Sequence, residues 1–269
     1  MEKVIFVNKK DKNLEQNNLI SIPRSGQHMI ENCLKYYFGL IKIDYSYCEF
    51  YNYPCGCNKI KCINNYLFQK NHDFGLKTSN VGIPVYDYNK YLFLFRNDLI
   101  IQLEAKFRFL IKTKHNHVDF SKIKFLDGKF ENYTGIAYNN EVKDKGFIDY
   151  SDDNTINEFK KFLKIWIPYF KNILDKWLVN KNNLLSVSYD SLISDFNSSF
   201  KNILYFFNIP VNDEFIEKTK IYVNIEERIK FDRKFYDTLK NIIINELLSI
   251  SVDKNIIDSY LYPINRINK

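Results

Sequence analysis

A chain of 269 residues with 45% hydrophobic content, 23 Phe and 20 Tyr can bury a full core, which excludes disorder as its general state. Its 39 Lys and Arg against 32 Asp and Glu leave a net charge of +7, which suits an anionic ligand but is too mild and too scattered for a nucleic-acid binder. No stretch has the apolar length of a membrane span, and the opening MEKVIFVNKKDKNLEQNNLI lacks the apolar core of a secretory signal, so the expectation is a cytoplasmic protein without an anchor.

In chain order, Leu19, Ile20 and Ile22 of NNLISIP form a short apolar run of the buried-strand kind, ended by Pro23. Met29, Ile30, Cys33, Leu34, Tyr37 and Phe38 then recur at helical spacing, with Gly39 where a C-cap would fall. Residues Pro23 to Gln27 are thus a strand-to-helix turn. Four cysteines crowd into YCEFYNYPCGCNKIKCINNY as Cys48, Cys55, Cys57 and Cys62. Their C-x6-C-x-C-x4-C spacing matches no standard zinc finger, which leaves structural metal, local disulfides and packed thiols open.

A second strand is predicted over Tyr91 to Phe95, with Asn97 or Asp98 capping a helix whose buried stripe is Leu99, Ile100, Leu103, Phe107, Leu110 and Ile111. Residues 114 to 154 are polar and aperiodic, an irregular insertion containing His115 and His117 that is read as a lid over the acceptor. TINEFKKFLKIWIPYFKNILDKWLV reads as a long amphipathic helix opened by a Thr155 to Glu158 capping box and kinked at Pro168. NLLSVSY supplies a further strand ending at Tyr189, followed by helical SDFNSSFKNILYFFNIP. Strands alternating with helices imply an α/β fold, a three-layer arrangement with a mostly parallel central sheet in a single domain over residues 1 to 269.

The turn SIPRSGQHM is suited to a phosphate. Unpaired first-turn amides and the helix dipole attract an anion, Gly26 permits close backbone approach, and Arg24 and Ser25 add a charge and a hydroxyl. An ordinary turn carrying a surface Arg is the bland alternative. The turn lacks the G-x-x-x-x-G-K-[ST] spacing of nucleoside triphosphatases.

These residues resemble the 5'-phosphosulfate loop of the sulfotransferases that use 3'-phosphoadenosine 5'-phosphosulfate (PAPS), and three further segments follow in that family's order. YLFLFRND resembles its 3'-phosphate strand, with Arg96 as the phosphate ligand; NLLSVSYDSLISDFNSSFKNILYFFNIP resembles its Y-E-D-L strand and helix, with Tyr189 near the adenine; LFQKNHDF resembles the K-T-H segment, giving Lys70 and His72. LKTSN, from Lys77 to Asn80, is a decoy with Ser79 in place of the base.

The resemblance implies a P-loop-like sulfotransferase architecture and in-line sulfuryl transfer from PAPS, with adenosine 3',5'-bisphosphate (PAP) as product and no metal requirement. It implies His72 as base, its ordinary pKa of about 6.5 suiting neutral pH, with Arg24 and Lys70 stabilising the leaving phosphate. Donor contacts are implied for Arg24, Ser25, Gly26, Gln27, His28, Met29, Arg96, Glu104, Tyr189, Arg233 and Lys234. Three positions depart from the family: Glu104 stands where it usually has Ser, Met29 where it often stacks a Trp on adenine, and FDRKFYD lacks the Gly of its R-K-G element. The acceptor is a small molecule or a glycan. A nucleotide-binding or kinase-like protein on the same framework, or an inactive relative, is the competing reading; a kinase-like protein would need a Lys in the loop and a magnesium-binding carboxylate.

Overall fold

The computed structural model describes residues 17–45, 47–48, 68–77, 82–112, 125–126, 129–130, 150–151, 153–224 and 233–267. Five strands, β1 (Asn17–Ser21), β2 (Tyr47–Cys48), β3 (Phe68–Asn71), β4 (Lys90–Phe95) and β7 (Leu184–Ser188), form one sheet in the order β2-β3-β1-β4-β7. Every pairing in it is parallel. Two short strands, β5 (Phe125–Leu126) and β6 (Lys129–Phe130), pair antiparallel within the segment predicted as an irregular insertion. His115, His117, Cys55, Cys57, Cys62 and Ser79 lie outside the described residues; Cys33 and Cys48 are buried thiols.

Side chains of the inner strands alternate between two cores, as a sheet covered on both faces requires. Leu19 of β1 with Leu92 and Leu94 of β4 pack beneath α1 (Gln27–Leu40), α4 (Tyr189–Ser194), α5 (Phe196–Phe206) and α6 (Asp213–Tyr222). Ile20, Tyr91, Phe93 and Phe95 face the opposite core, built from α2 (Leu99–Lys112), α3 (Asp153–Trp177), α7 (Tyr236–Ser249) and α8 (Ile257–Leu261). A last short helix, α9 (Ile264–Ile267), ends the described chain. The α/β architecture with a parallel sheet between helical layers is therefore as expected. No helix among the described residues is long and apolar enough to cross a membrane.

Local signals fared unevenly. Asp98 does cap α2, its Oδ1 accepting from the Ile100 amide at 2.8 Å. Helix α1 instead runs through Gly39 to Leu40, and Lys42, at φ 58°, takes the left-handed conformation beyond it. Helix α3 begins at Asp153, two residues before Thr155, so Thr155 is not its first cap, and Glu158 pairs with Lys161 at 2.6 Å. The same helix continues unbroken across Pro168.

One buried carboxylate ties β3 to α3. Asp73, fully buried at φ 47°, accepts from the Ile83 amide (2.7 Å), the Trp177 indole (2.8 Å) and the Lys176 ammonium (2.7 Å). Removing it leaves the Ile83 amide and the Trp177 indole without this acceptor and takes the counter-charge from the Lys176 ammonium, which keeps its bond to the Ile83 carbonyl. Asp73→Ala is expected to lower the unfolding free energy by about 3–5 kcal/mol, read by chemical denaturation.

Candidate active site

The bend after β1 stands at the carboxyl end of the sheet, between β3 and β4 on its two sides, where ligands of open parallel sheets are usually received. Ile22 continues the ladder by donating its amide to the Leu94 carbonyl at 3.1 Å, and the Ser25 amide closes the bend onto the Ile22 carbonyl at 3.1 Å. Arg24 is exposed and holds φ 73°, a conformation that non-glycine residues adopt at a cost and mostly at functional sites. Gly26, at φ 80°, caps α1 and puts the positive end of that helix at the bend. Its missing Cβ is needed by Tyr189, whose ring carbon would lie 2.2 Å from one, so the close approach expected for a ligand is made here by an aromatic ring. Arg96 closes the far side: its Nε donates to the Arg24 carbonyl at 3.1 Å and its guanidinium lies 4.8 Å from the Tyr189 ring centre.

His72 follows β3 directly, and the register that pairs Ile20 with Asn71 sets it beside Ser21. Its Nδ1 is 2.8 Å from the Ser21 carbonyl and 3.0 Å from the Ser21 hydroxyl. A carbonyl can only accept, so Nδ1 carries the proton and Nε2 is the basic nitrogen of the neutral ring. The Tyr169 hydroxyl donates to the His72 carbonyl, and the Phe74 ring lies 5.2 Å from the imidazole. Burial, reinforced by the charges of Lys70, Lys106 and His28 and opposed by the Ser21 bond, lowers the His72 pKa to about 3.

Cations gather around these two features. Lys70 is buried on β3 with Nζ 3.5 Å from Nε2 of His28, and exposed His28 lies 3.6 Å from the Glu31 carboxylate. Lys106, buried on α2, has its pKa lowered to about 7 by burial first and by the Arg24 charge second. Its ammonium lies 4.8 Å from the Trp166 ring centre, while Lys77 lies 3.5 Å from that centre. Burial, with Lys106 adding repulsion, holds Lys77 well below the usual lysine range. Such a concentration of positive charge fits an anionic ligand with more than one charged group.

The structure therefore brings Arg24, Ser25, Gly26, His28, Lys70, His72, Arg96 and Tyr189 to one end of the sheet. Ser25 is buried and donates to Gln102 at 3.0 Å. Gln27 turns inward, its amide donating to the Leu19 carbonyl at 2.9 Å, and Met29 is a core residue under α1. Glu104 is buried in a two-point ion pair with Arg108, its Oε1 accepting from the Arg108 Nε at 2.9 Å. Arg233 opens a short 3-10 turn, Arg233–Phe235, beside exposed Lys234, whose ammonium rests 4.8 Å from the Phe235 ring centre. That turn leads into Tyr236, which donates to Asp98 at 2.7 Å, so it sits near the end of β4.

Two residues at the site went unnoticed in the sequence, Gln102 and Lys106. Both belong to the helical face marked by Leu99 and Leu103, and a charged or amide side chain on a buried stripe is the signal that would have found them.

Fold and site together describe a parallel α/β protein whose first strand-to-helix bend gathers cationic side chains beside an imidazole with its Nε2 unprotonated. No protein-family profile matches the chain, and no curated protein matches it significantly. Among solved structures it is similar to mouse sulfotransferase SULT7A1 complexed with PAP, at 15% identity over 81% of this chain and 68% of that one, with a TM-score of 0.47. It is similar also to retinol dehydratase in complex with androsterone and inactive cofactor PAP, at 13% identity over 88% of this chain and 82% of that one (TM-score 0.45). The sulfotransferase domain of the Synechococcus PCC 7002 olefin synthase shares 14% identity over 93% of this chain and 99% of that one (TM-score 0.45). These likenesses are weak, and the assignment of roles rests on the geometry of this chain.

Two titrations check that geometry. Burial and, second, the Arg24 charge hold the Lys106 pKa at about 7, so an anion bound at Arg24 is expected to raise it. Binding of such an anion at pH 8 is then expected to take up a fraction of a proton; calorimetry in buffers of different ionisation enthalpy reads this, and Lys106→Met removes it. For His72 the folded pKa of about 3 lies below the unfolded value, so the unfolded chain binds the extra proton between them. Stability is expected to fall as pH drops from about 6.5 toward 3, with a shallower fall in His72→Asn, as measured by urea midpoints across pH.

Proposed function

We propose that the chain is a sulfotransferase that moves a sulfuryl group from PAPS to a hydroxyl or amine of a small-molecule or glycan acceptor, releasing PAP. The observation that carries this reading is the β1–β3 seam, where the Ser21 carbonyl accepts a hydrogen bond from Nδ1–H of His72 and leaves Nε2 basic beside a cationic bend. In the proposed reaction the acceptor atom bonds to sulfur in line with the departing oxygen. The sulfur–oxygen bond to the 5'-phosphate breaks and its electron pair leaves with PAP, while the acceptor proton passes to Nε2 of His72. Arg24, Lys70 and Lys106 oppose the negative charge that grows on the leaving phosphate, and Arg96 and Tyr189 border the nucleotide side.

The pKa of His72 is lowered by burial first and by the charges of Lys70, Lys106 and His28 after it. A polyanionic donor among Lys70, Lys106 and His28 would offset their part of the shift and leave the part that burial imposes. The same low pKa favours a second reading, a nucleotide-binding relative without turnover. One pair of measurements separates them. Calorimetry is expected to give a PAP dissociation constant on the order of 1 μM or tighter, with 5'-AMP bound at least about tenfold more weakly. A radiolabelled-sulfate assay over an acceptor panel is expected to show transfer that His72→Ala abolishes while PAP binding persists. PAP binding without transfer supports the second reading, and equal affinity for 5'-AMP overturns the donor assignment.

A further inference from the structure

Gln102 occupies a register of α2 that a helix against a sheet ordinarily fills with an apolar side chain, and it is 1% exposed. A buried amide is kept when its donor and acceptor are both used. Here both are used on the bend: Nε2 donates to the Pro23 carbonyl, and Oε1 accepts the Ser25 hydroxyl proton at 3.0 Å. The residue between those two anchors is Arg24, held at φ 73° with its own carbonyl bound by Arg96 at 3.1 Å. A side chain in this left-handed region costs on the order of 1 kcal/mol and persists where its surroundings over-determine it.

The chemistry of the anchor is specific. Glutamine offers one donor and one acceptor at this reach. Glutamate would set a carboxylate against the Pro23 carbonyl, and methionine would keep the length while supplying neither bond. We infer that Gln102 is a positioning residue that fixes the backbone of Arg24 and thereby aims its guanidinium at the leaving phosphate. The first half stands on the hydrogen bonds, and the second rests on the sulfuryl-transfer reading above.

The test uses the full chain and two readouts. Hydrogen exchange of the peptide covering residues 22 to 29 is expected to quicken about tenfold in Gln102→Met and Gln102→Glu, with the rest of β1 and α2 unchanged. Exchange at the bend that matches the wild type overturns the inference. For sulfuryl transfer, Gln102→Met is expected to lower kcat by about tenfold to a hundredfold with the acceptor KM unchanged. In an Arg24→Ala background the same substitution is expected to have no further effect, because its route through Arg24 is already gone. Additive losses in that cycle, or a loss confined to melting temperature, overturn it in favour of a packing role. Should Gln102→Met fail to fold, Gln102→Glu and Ser25→Ala carry both readouts. If the wild-type protein transfers no sulfuryl group, the sulfotransferase reading falls, and exchange at the bend alone decides whether Gln102 holds Arg24.

Discussion

Positive charge brought out of water at one end of a parallel sheet is the constraint around which this site is organised. Lys70 and Lys106 are buried, Arg24 sits on the bend between them in the fold, and the amino end of α1 adds its own partial charge. None of these groups favours the others: burial lowers the Lys106 and His72 pKa values first, the Arg24 charge adds to the shift of Lys106, and Lys70 and Lys106 add to that of His72. A fold tolerates such crowding when the sheet and its helices fix the backbone independently of it, and an arriving polyanion then relieves the repulsion.

The rigidity that this demands comes from the far core. Tyr169 of α3 donates to the His72 carbonyl, and Asp73, the next residue, is bound by Lys176 and Trp177 of the same helix. Helix α3 therefore holds the end of β3 from behind while Ser21 of β1 holds the imidazole from the side. An imidazole secured through its own backbone carbonyl and through Nδ1 has little freedom to rotate, which leaves Nε2 with a fixed direction. Burial of so many aromatic rings along α3, Phe159, Phe162, Trp166, Tyr169 and Phe170 among them, is what makes that support stiff.

Much of this was legible from the chain alone, because apolar runs and turn residues act locally. The three longer strands, the bend at residues 23 to 26 and the capping Asp98 follow from patterns a few residues long. Placing Lys70 and His72 beside the bend came through resemblance, since nothing local in LFQKNHDF says that β3 pairs with β1. Cap signals misled where tertiary packing decided the matter: Gly39 stays helical and Thr155 lies inside α3. Gln102 and Lys106 can be marked as polar residues on a buried stripe, but not given a role, for a different reason. Their meaning depends on which face of α2 meets the bend, and helical periodicity identifies a buried face without saying what it is buried against.

Glu104 shows how the chain accommodates a residue that should weaken an anion site. A carboxylate on the buried side of α2, close to Arg96, would offset part of the charge that the bend concentrates. Arg108, one helical turn further on, meets it with two hydrogen bonds and converts it into a closed ion pair. Arg96 feels Glu104 as the last of the charges acting on it, after Tyr189, Asp190 and Arg24, and commits its own hydrogen bond to the Arg24 carbonyl. The carboxylate is thus neutralised within its own helix, and the guanidinium of Arg96 continues to serve the bend. Substituting Glu at this position without Arg108 would give a site of lower net charge, so the two residues form one electrostatic unit, and the anion-receiving character of the bend depends on the pair being kept together.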